Sequence, residues 1–213
     1  MRAMRVHELS EDIAVLRMED VELPPPGPGE VRLRLKACSI NFPDILMIQG
    51  KYQFKPELPF SPGMEGAGIV AEVGYGVTRL KPGDRVVAGL RVGGFAEEVN
   101  VPELACRPIP GNMDFAKAAA YPAAYLTAYV ALVCRGHLQK GETLLVHAIA
   151  SGIGTAALQL AQAVGATVIG TSRSQAKLDR CAELGLEHGV ETSDGSFVEG
   201  VKALAPGGVD VIL

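Results

Sequence analysis

Between residues 31 and 37 apolar and charged side chains alternate, with Val31, Leu33, Leu35 and Ala37 on one side and Arg32, Arg34 and Lys36 on the other. A period of two marks a strand with one buried face. The preceding Pro24-Pro-Pro-Gly-Pro-Gly29 must be a turn, because so many fixed φ angles and missing donors exclude helix or central strand. Short runs at 68–73, 84–88 and 95–101 predict further strands, separated by Gly-Tyr-Gly, Lys-Pro-Gly-Asp and Gly-Gly turns. Residues 1 to about 120 therefore read as an antiparallel β-rich domain.

From about Asp114 the period changes. Residues 116–120 and 123–134 are Ala-rich helical stretches interrupted by Pro122. A strand at 143–148, a helix at 153–164, a strand at 167–171, a helix at 174–184, a short strand near Gly189, a helix at 197–204 and a strand at 209–213 follow. Strands alternating with helices of this length mean βαβ units and a parallel sheet. The helix at 153–164 is apolar on almost every side, so cover on several faces is expected, as for a helix wedged between a sheet and a second domain. The organisation expected is α/β: a β-rich domain over 1–122 and a Rossmann-type doubly wound parallel sheet over 123–213. Such a sheet repeats its mononucleotide half on the far side of the first strand. Only one strand of that second half is found, so truncation at the C-terminus is expected, with 209–213 left as an edge.

Composition narrows the class. With 48% hydrophobic and 21% charged residues, the chain reads as a soluble globular protein with a real core. Its 25 glycines follow no repeating period, which suits turns and not a fibre. Tryptophan is absent and aromatics make up 5%, which argues against a base- or sugar-stacking surface. A net charge of -4 with interspersed signs offers nothing to nucleic acid or an anionic membrane. The first residues lack the apolar core of a signal peptide, and no apolar run is long enough to span a bilayer. Cys38, Cys106, Cys134 and Cys181 lie far apart without a CxxC pair, so reduced thiols in a cytoplasmic protein are expected.

Candidate chemistry begins at Leu144-Leu-Val-His-Ala-Ile-Ala-Ser-Gly-Ile-Gly-Thr-Ala-Ala157, which runs from strand through small-residue turn to helix start. Backbone amides at Ser151, Gly152, Ile153 and Gly154 would approach a pyrophosphate there, helped by the positive end of the helix. A strict G-x-G-x-x-G is absent, with Ile149 and Ser151 at its first two glycine positions, and a tight turn packed by small residues is the plainer reading. The second strand ends in Thr171-Ser-Arg-Ser174, followed by Lys177, with no acid until Asp179. NAD sites place an acid there for the ribose hydroxyl. Ser172, Arg173 and Lys177 instead suit the 2′-phosphate of NADP, since a dianion needs donors and opposing charge. The two cations could also be solvated charges at a helix start. A Rossmann-like methyltransferase shares the glycine-rich turn but would need an acid where Thr171 to Ser174 stand.

Asn41-Phe-Pro-Asp-Ile-Leu46 with Gly50-Lys-Tyr52, Leu58-Pro-Phe-Ser-Pro-Gly-Met-Glu-Gly-Ala-Gly68, Lys81-Pro-Gly-Asp-Arg-Val86, Leu126-Thr-Ala-Tyr129 and Val146-His-Ala-Ile-Ala-Ser-Gly-Ile-Gly154 resemble the medium-chain dehydrogenase/reductase superfamily. Within it they look like the quinone oxidoreductase (zeta-crystallin-like) branch. The resemblance covers essentially the whole chain; in the branch's A-x-x-G-x-x-G turn, Ser151 replaces the middle glycine. It implies a GroES-like N-terminal domain and a Rossmann NADP-binding domain. Zinc-dependent relatives carry Cys where this chain has Asn41 and His where it has Met64. Amide and thioether are poor zinc ligands, and only Cys106 lies in the region of the structural zinc lobe, so no metal is expected.

The implied activity is hydride transfer from NADPH to a quinone or an α,β-unsaturated carbonyl, in which hydrogen-bond donors replace a metal at the developing oxyanion. The resemblance implies Asn41 as an amide donor near the nicotinamide, Tyr52 as donor or proton source, and Thr127 as a hydroxyl contact to the nicotinamide ribose or ring. Asp44 is expected to anchor its loop. Plainer roles stand beside these. Asn41 could cap a helix over 42–47, Tyr52 could be a half-buried core phenol, Thr127 a packing residue, and Glu65 a backbone acceptor in its loop. The four histidines show no paired spacing. The resemblance also implies a homodimer of the full-length protein, and it leaves open an NADPH-binding structural or regulatory protein with little turnover.

Overall fold

The computed structural model describes residues 1–193 and 195–213. They divide into two compact units, Met1–Ala123 and Ala124–Leu213.

In the first unit, β1 (Arg2–Arg5) and β2 (Arg17–Asp20) pair antiparallel, although neither shows in the sequence pattern. The main sheet is built from β3 (Glu30–Cys38), β4 (Glu65–Val73), β5 (Arg85–Gly89), β6 (Glu98–Pro102) and β7 (Cys106–Pro108), in the order β6-β3-β4-β5-β7, antiparallel throughout. The alternation of β3 does what its period predicts: Val31 and Leu33 are buried with Val70, Val86, Ala88 and Val101. Arg34 pairs outward with Glu98 across the strand at 3.0 Å, and Arg32 with Glu72 at 3.3 Å. Leu35 and Ala37 are only half-buried, because the register with β4 shifts between them and leaves Lys36 without a Cα partner there. Such a bulge bends a strand, and the chain then enters α1 (Phe42–Ile48).

β4 begins at Glu65, before the expected residue 68. Gly66 and Gly68 hide it from a strand-propensity reading. The strands lie so close that a Cβ on Gly68 would stand 2.2 Å from the Arg34 carbonyl oxygen. After β7 come α2 (Phe115–Ala119), whose Ala118 and Ala119 bury against Ala67 and Val87, and α3 (Tyr121–Tyr129). The expected break between the two helical stretches is found at Ala120, and Pro122 does not make it. It is the second residue of α3, where its missing N–H costs no helical bond, and a π-helical segment, Val130–Arg135, follows.

In the second unit β8 (Thr143–Val146), β9 (Thr167–Ser172), β10 (His188–Glu191) and β11 (Val211–Ile212) form a parallel sheet in the order β10-β9-β8-β11 among the described residues. α4 (Gly152–Val164) and α5 (Gln175–Ala182) cover one face, burying Leu144, Val146, Ala157, Leu158 and Leu178. α6 (Val198–Leu204) covers the other with Leu145, Ile169, Val190 and Val201. α4 buries one side only: Ile153, Gln159, Gln162 and Ala163 are exposed, so cover on several faces is not found within the unit. Among the described residues no helix is long and apolar enough to cross a membrane.

Candidate functional site

Two clusters carry the candidate chemistry, one in each unit. In the first, the chain leaves the bent end of β3 and starts α1 at Asn41, whose extended backbone (φ −116°, ψ 155°) makes it the residue before the helix. Asp44 reaches back to accept the Asn41 backbone N–H at 2.8 Å, and its other oxygen accepts the Gly63 N–H at 3.0 Å. Asp44 is 1% exposed. Burial pushes its carboxyl above the ordinary range, the two backbone donors partly oppose the shift, and the neighbouring Glu65 adds to it. Its expected role as a loop anchor is the one this geometry supports.

The Asn41 side chain does more than cap. Its amide nitrogen lies 2.9 Å from Glu65 Oε1 and 3.0 Å from Ser39 Oγ. Ser39 Oγ also hydrogen-bonds Glu65 Oε1 at short range. Glu65, 2% exposed at the head of β4, accepts the Ala123 backbone N–H on Oε2 at 2.7 Å. Asn41, Ser39, Asp44 and Glu65 are thus one polar network, in which sequence reasoning assigned Glu65 only a backbone bond and left Ser39 without a role. Both amide hydrogens of Asn41 are spent inside it, so the outward donor role expected of Asn41 is not open to the side chain as it is held.

Met64 packs with Tyr52 and Phe54 against a cluster of Val6, Met47, Ile48 and Phe60. Tyr52 is half-buried there, its backbone N–H on the Leu46 carbonyl at 3.1 Å, and its hydroxyl has no partner among the described residues. Among those residues no three His, Cys, Asp or Glu side chains converge as metal ligands would.

In the second unit the turn after β8 leaves the sheet where the strand order reverses, the crevice in which such sheets bind ligands. His147 and Ala148 are turn and not strand, and Ala148 adopts φ 51°, a left-handed conformation uncommon outside glycine. Ser151 caps α4, its Oγ accepting the Gly154 N–H at 3.0 Å. Of the four expected phosphate donors, Gly152 and Ile153 keep backbone N–H groups without a partner among the described residues, as a helix start does. Gly154 serves space instead: a Cβ there would lie 2.5 Å from the Ile149 carbonyl oxygen.

Beside this turn is a pocket of about 250 Å³, walled in part by Ser151, Ser172, Arg173, Ser174, Lys177 and Thr192. Among the described residues no carboxylate lines it, and neither Arg173 nor Lys177 has an ion-pair partner there. Ser172, Arg173 and Lys177 were expected together. Thr192 was missed, since it joins them only through its N–H on the Ser172 carbonyl at 2.9 Å. Thr127 is exposed on α3, and its side chain makes no hydrogen bond among the described residues.

Comparison with known proteins agrees with this division. Residues 27–111 match the family described as Alcohol dehydrogenase GroES-like domain, and residues 152–213 the one described as Zinc-binding dehydrogenase. The chain is 44% identical over 191 residues to the human synaptic vesicle membrane protein VAT-1 homolog, covering 89% of this chain and 48% of that protein. A crystal structure of a probable oxidoreductase from Mycobacterium abscessus is 40% identical, with a TM-score of 0.91 over 100% of this chain and 68% of that one. The quinone oxidoreductase from Thermus thermophilus, also solved as a complex with NADPH, is 36% identical with a TM-score of 0.85, over 100% of this chain and 65% of that one. The chain spans about half the length of the curated relatives it matches.

Proposed function

The chain belongs to the medium-chain dehydrogenase/reductase superfamily, in its zinc-free quinone oxidoreductase branch, and within it we propose an NADPH-dependent reductase acting on a quinone or an α,β-unsaturated carbonyl. The observation that carries this reading is the pocket at the end of β9, where two cations and four hydroxyls meet no carboxylate among the described residues. That set fits a 2′-phosphate, and among the described residues it offers a free 2′-hydroxyl only neutral hydroxyl acceptors in place of a carboxylate. The open amides of Gly152 and Ile153 fit the pyrophosphate.

NADPH, when bound, supplies the hydride; the chain's own residues bind, orient and handle charge and proton. Arg173, Lys177 and Ser172 hold the phosphate that separates NADPH from NADH. The exposed Thr127 hydroxyl contacts the nicotinamide riboside. In the first unit the free Tyr52 hydroxyl donates to the acceptor's carbonyl oxygen as negative charge develops there, and it can deliver the proton that completes the reduction. Asn41 orders the network at the start of α1 through its amide hydrogens on Glu65 and Ser39. With Asn41 and Met64 where zinc-dependent relatives have Cys and His, the donors present suit hydrogen-bond catalysis and not a metal alkoxide.

The test is the loss of nicotinamide absorbance with NADPH or NADH against a panel of 1,4-benzoquinone, 9,10-phenanthrenequinone and cyclic enones. Turnover with NADPH in preference to NADH is expected. Tight NADPH binding with no turnover across the panel would reject the reductase and leave a cofactor-binding structural or regulatory protein.

A further inference from the structure

We propose a second anion site, in the crevice between α4 and α5, where a small phosphate monoester binds and, through Lys177, loosens the first pocket's hold on the cofactor's 2′-phosphate. The crevice holds about 340 Å³ and adjoins the pocket at the end of β9. Ala150 and Lys177 line both, and each adds an arginine of its own, Arg173 in the first and Arg180 in the second. The coupling between the two rests on the NADPH reading of the first pocket; the crevice itself does not.

The spacing of α5 makes the crevice cationic. Lys177 and Arg180 stand three positions apart, on one helix face, and neither forms an ion pair among the described residues. Asp179 is turned to Gln175, whose amide nitrogen donates to its carboxylate at 2.8 Å. Glu183, exposed just past the helix, is the one carboxylate among the described lining residues. The neutral side chains offer an anion little. Thr155 Oγ1 directs its only hydrogen at the Ser151 and Gly152 carbonyls, at 3.0 and 3.1 Å. Burial pushes the Cys181 thiol up, so it stays uncharged.

The two cations therefore carry the attraction, and a pair of them favours a dianion. A phosphate monoester has a charge of about −1.5 to −2 at neutral pH, where a carboxylate has a single one. The volume lies at the small end of organic-ligand sites, and Ala150 and Leu184 add apolar surface beside the cations. The matching ligand is a phosphate on a compact apolar body.

Lys177 is one ammonium between two anion sites. With both filled it divides its donors, and the two phosphates repel each other. A filled crevice should weaken NADPH and spare NADH, which lacks the 2′-phosphate; by reciprocity NADPH weakens the monoester by the same factor. Both cations are exposed, so solvent and salt hold the effect to about three- to tenfold.

Phenyl phosphate is the probe, titrated by calorimetry without cofactor and then against NADPH and NADH. It should bind the cofactor-free protein, about fivefold more weakly in Arg180→Ala and more tightly in Glu183→Gln, which removes the acid at the rim. Both replaced side chains are exposed, so both variants should fold and, without the probe, keep NADPH affinity within about twofold. With the probe, the NADPH dissociation constant should climb to a plateau, and Arg180→Ala should move the midpoint of that climb about fivefold higher in probe concentration. A climb without a plateau, unmoved by Arg180→Ala, places the probe in the first pocket and overturns the proposal. So does phenyl phosphate that does not bind, or binds parent and Arg180→Ala alike. Arg180-dependent binding that leaves NADPH affinity unchanged overturns the coupling. A protein that binds the probe through Arg180 but favours NADPH no more than NADH keeps the crevice and loses the cofactor reading.

Discussion

Replacing both Arg173 and Lys177 by alanine should convert cofactor preference without removing cofactor binding. The two side chains flank a pocket of about 250 Å³ in which, among the described residues, no carboxylate competes for them. Both are exposed, so each phosphate contact must be discounted for solvent. A charge-assisted bond contributes about 1.5–3 kcal/mol when sheltered, and an exposed pair at most about 1 kcal/mol. Taking about 1–2 kcal/mol each, the double variant should lose about 2–4 kcal/mol with NADPH, or roughly 30- to 700-fold in affinity. NADH has no 2′-phosphate and should bind within about twofold of the parent.

The chain contains no tryptophan, so the rise in nicotinamide emission on binding is measured against little background, and titration calorimetry gives the same constants independently. The NADPH preference of the parent should also shrink as salt rises, because the screening length falls from about 8 Å at physiological ionic strength to about 3 Å at 1 M. Equal losses for the two cofactors would refute the reasoning. So would a preference that ignores salt.

Three further outcomes follow from distances and burial. Tyr52→Phe, which removes a hydroxyl without a partner among the described residues, should cut turnover by about 10-fold or more while leaving the NADPH dissociation constant within about twofold; an unchanged rate removes Tyr52 from the chemistry. Gly154→Ala places a methyl 2.5 Å from the Ile149 carbonyl oxygen, so the turn must open at a cost of about 1–3 kcal/mol, read as a lower unfolding midpoint together with weaker binding of both cofactors. Asp44 has its carboxyl pushed up by burial, so the folded state holds that proton more tightly than the unfolded one. Its stabilisation is full below the ordinary carboxylate range and is lost as pH rises through the raised value. Urea unfolding between pH 4 and 7 should show that decline in the parent, and Asp44→Asn should remove that part of the slope.

What the chain reveals by itself follows from how local each determinant is. β3 is legible because Val31 and Leu33 share a buried face and Arg32 and Arg34 an outer one. β1 and β2 are not, since of Arg2–Arg5 only Ala3 is buried and no residue of Arg17–Asp20 is; without an apolar face a strand has no period to show. α4 reads as apolar all round, yet only one side of it is buried within its unit, because alanine and glutamine tolerate exposure that the pattern does not register. Arg173 and Lys177 are legible as the absence of an acid at the end of one strand, a property of a few consecutive residues. Thr192 is not, because its place depends on β10 lying parallel to β9.

Asn41 shows the limit most clearly. That an amide stands at the start of α1 is written in the local sequence. Which of its two ends meets Glu65 is decided by the Ala123 N–H on Glu65, a bond closed over 58 residues. A side chain with a donor at one end and an acceptor at the other has no chemical sign until the fold turns it. Residue type alone therefore leaves the hydrogen-bonding role of such an amide undetermined, whereas the positive charges of Arg173 and Lys177 keep their sign however their side chains turn.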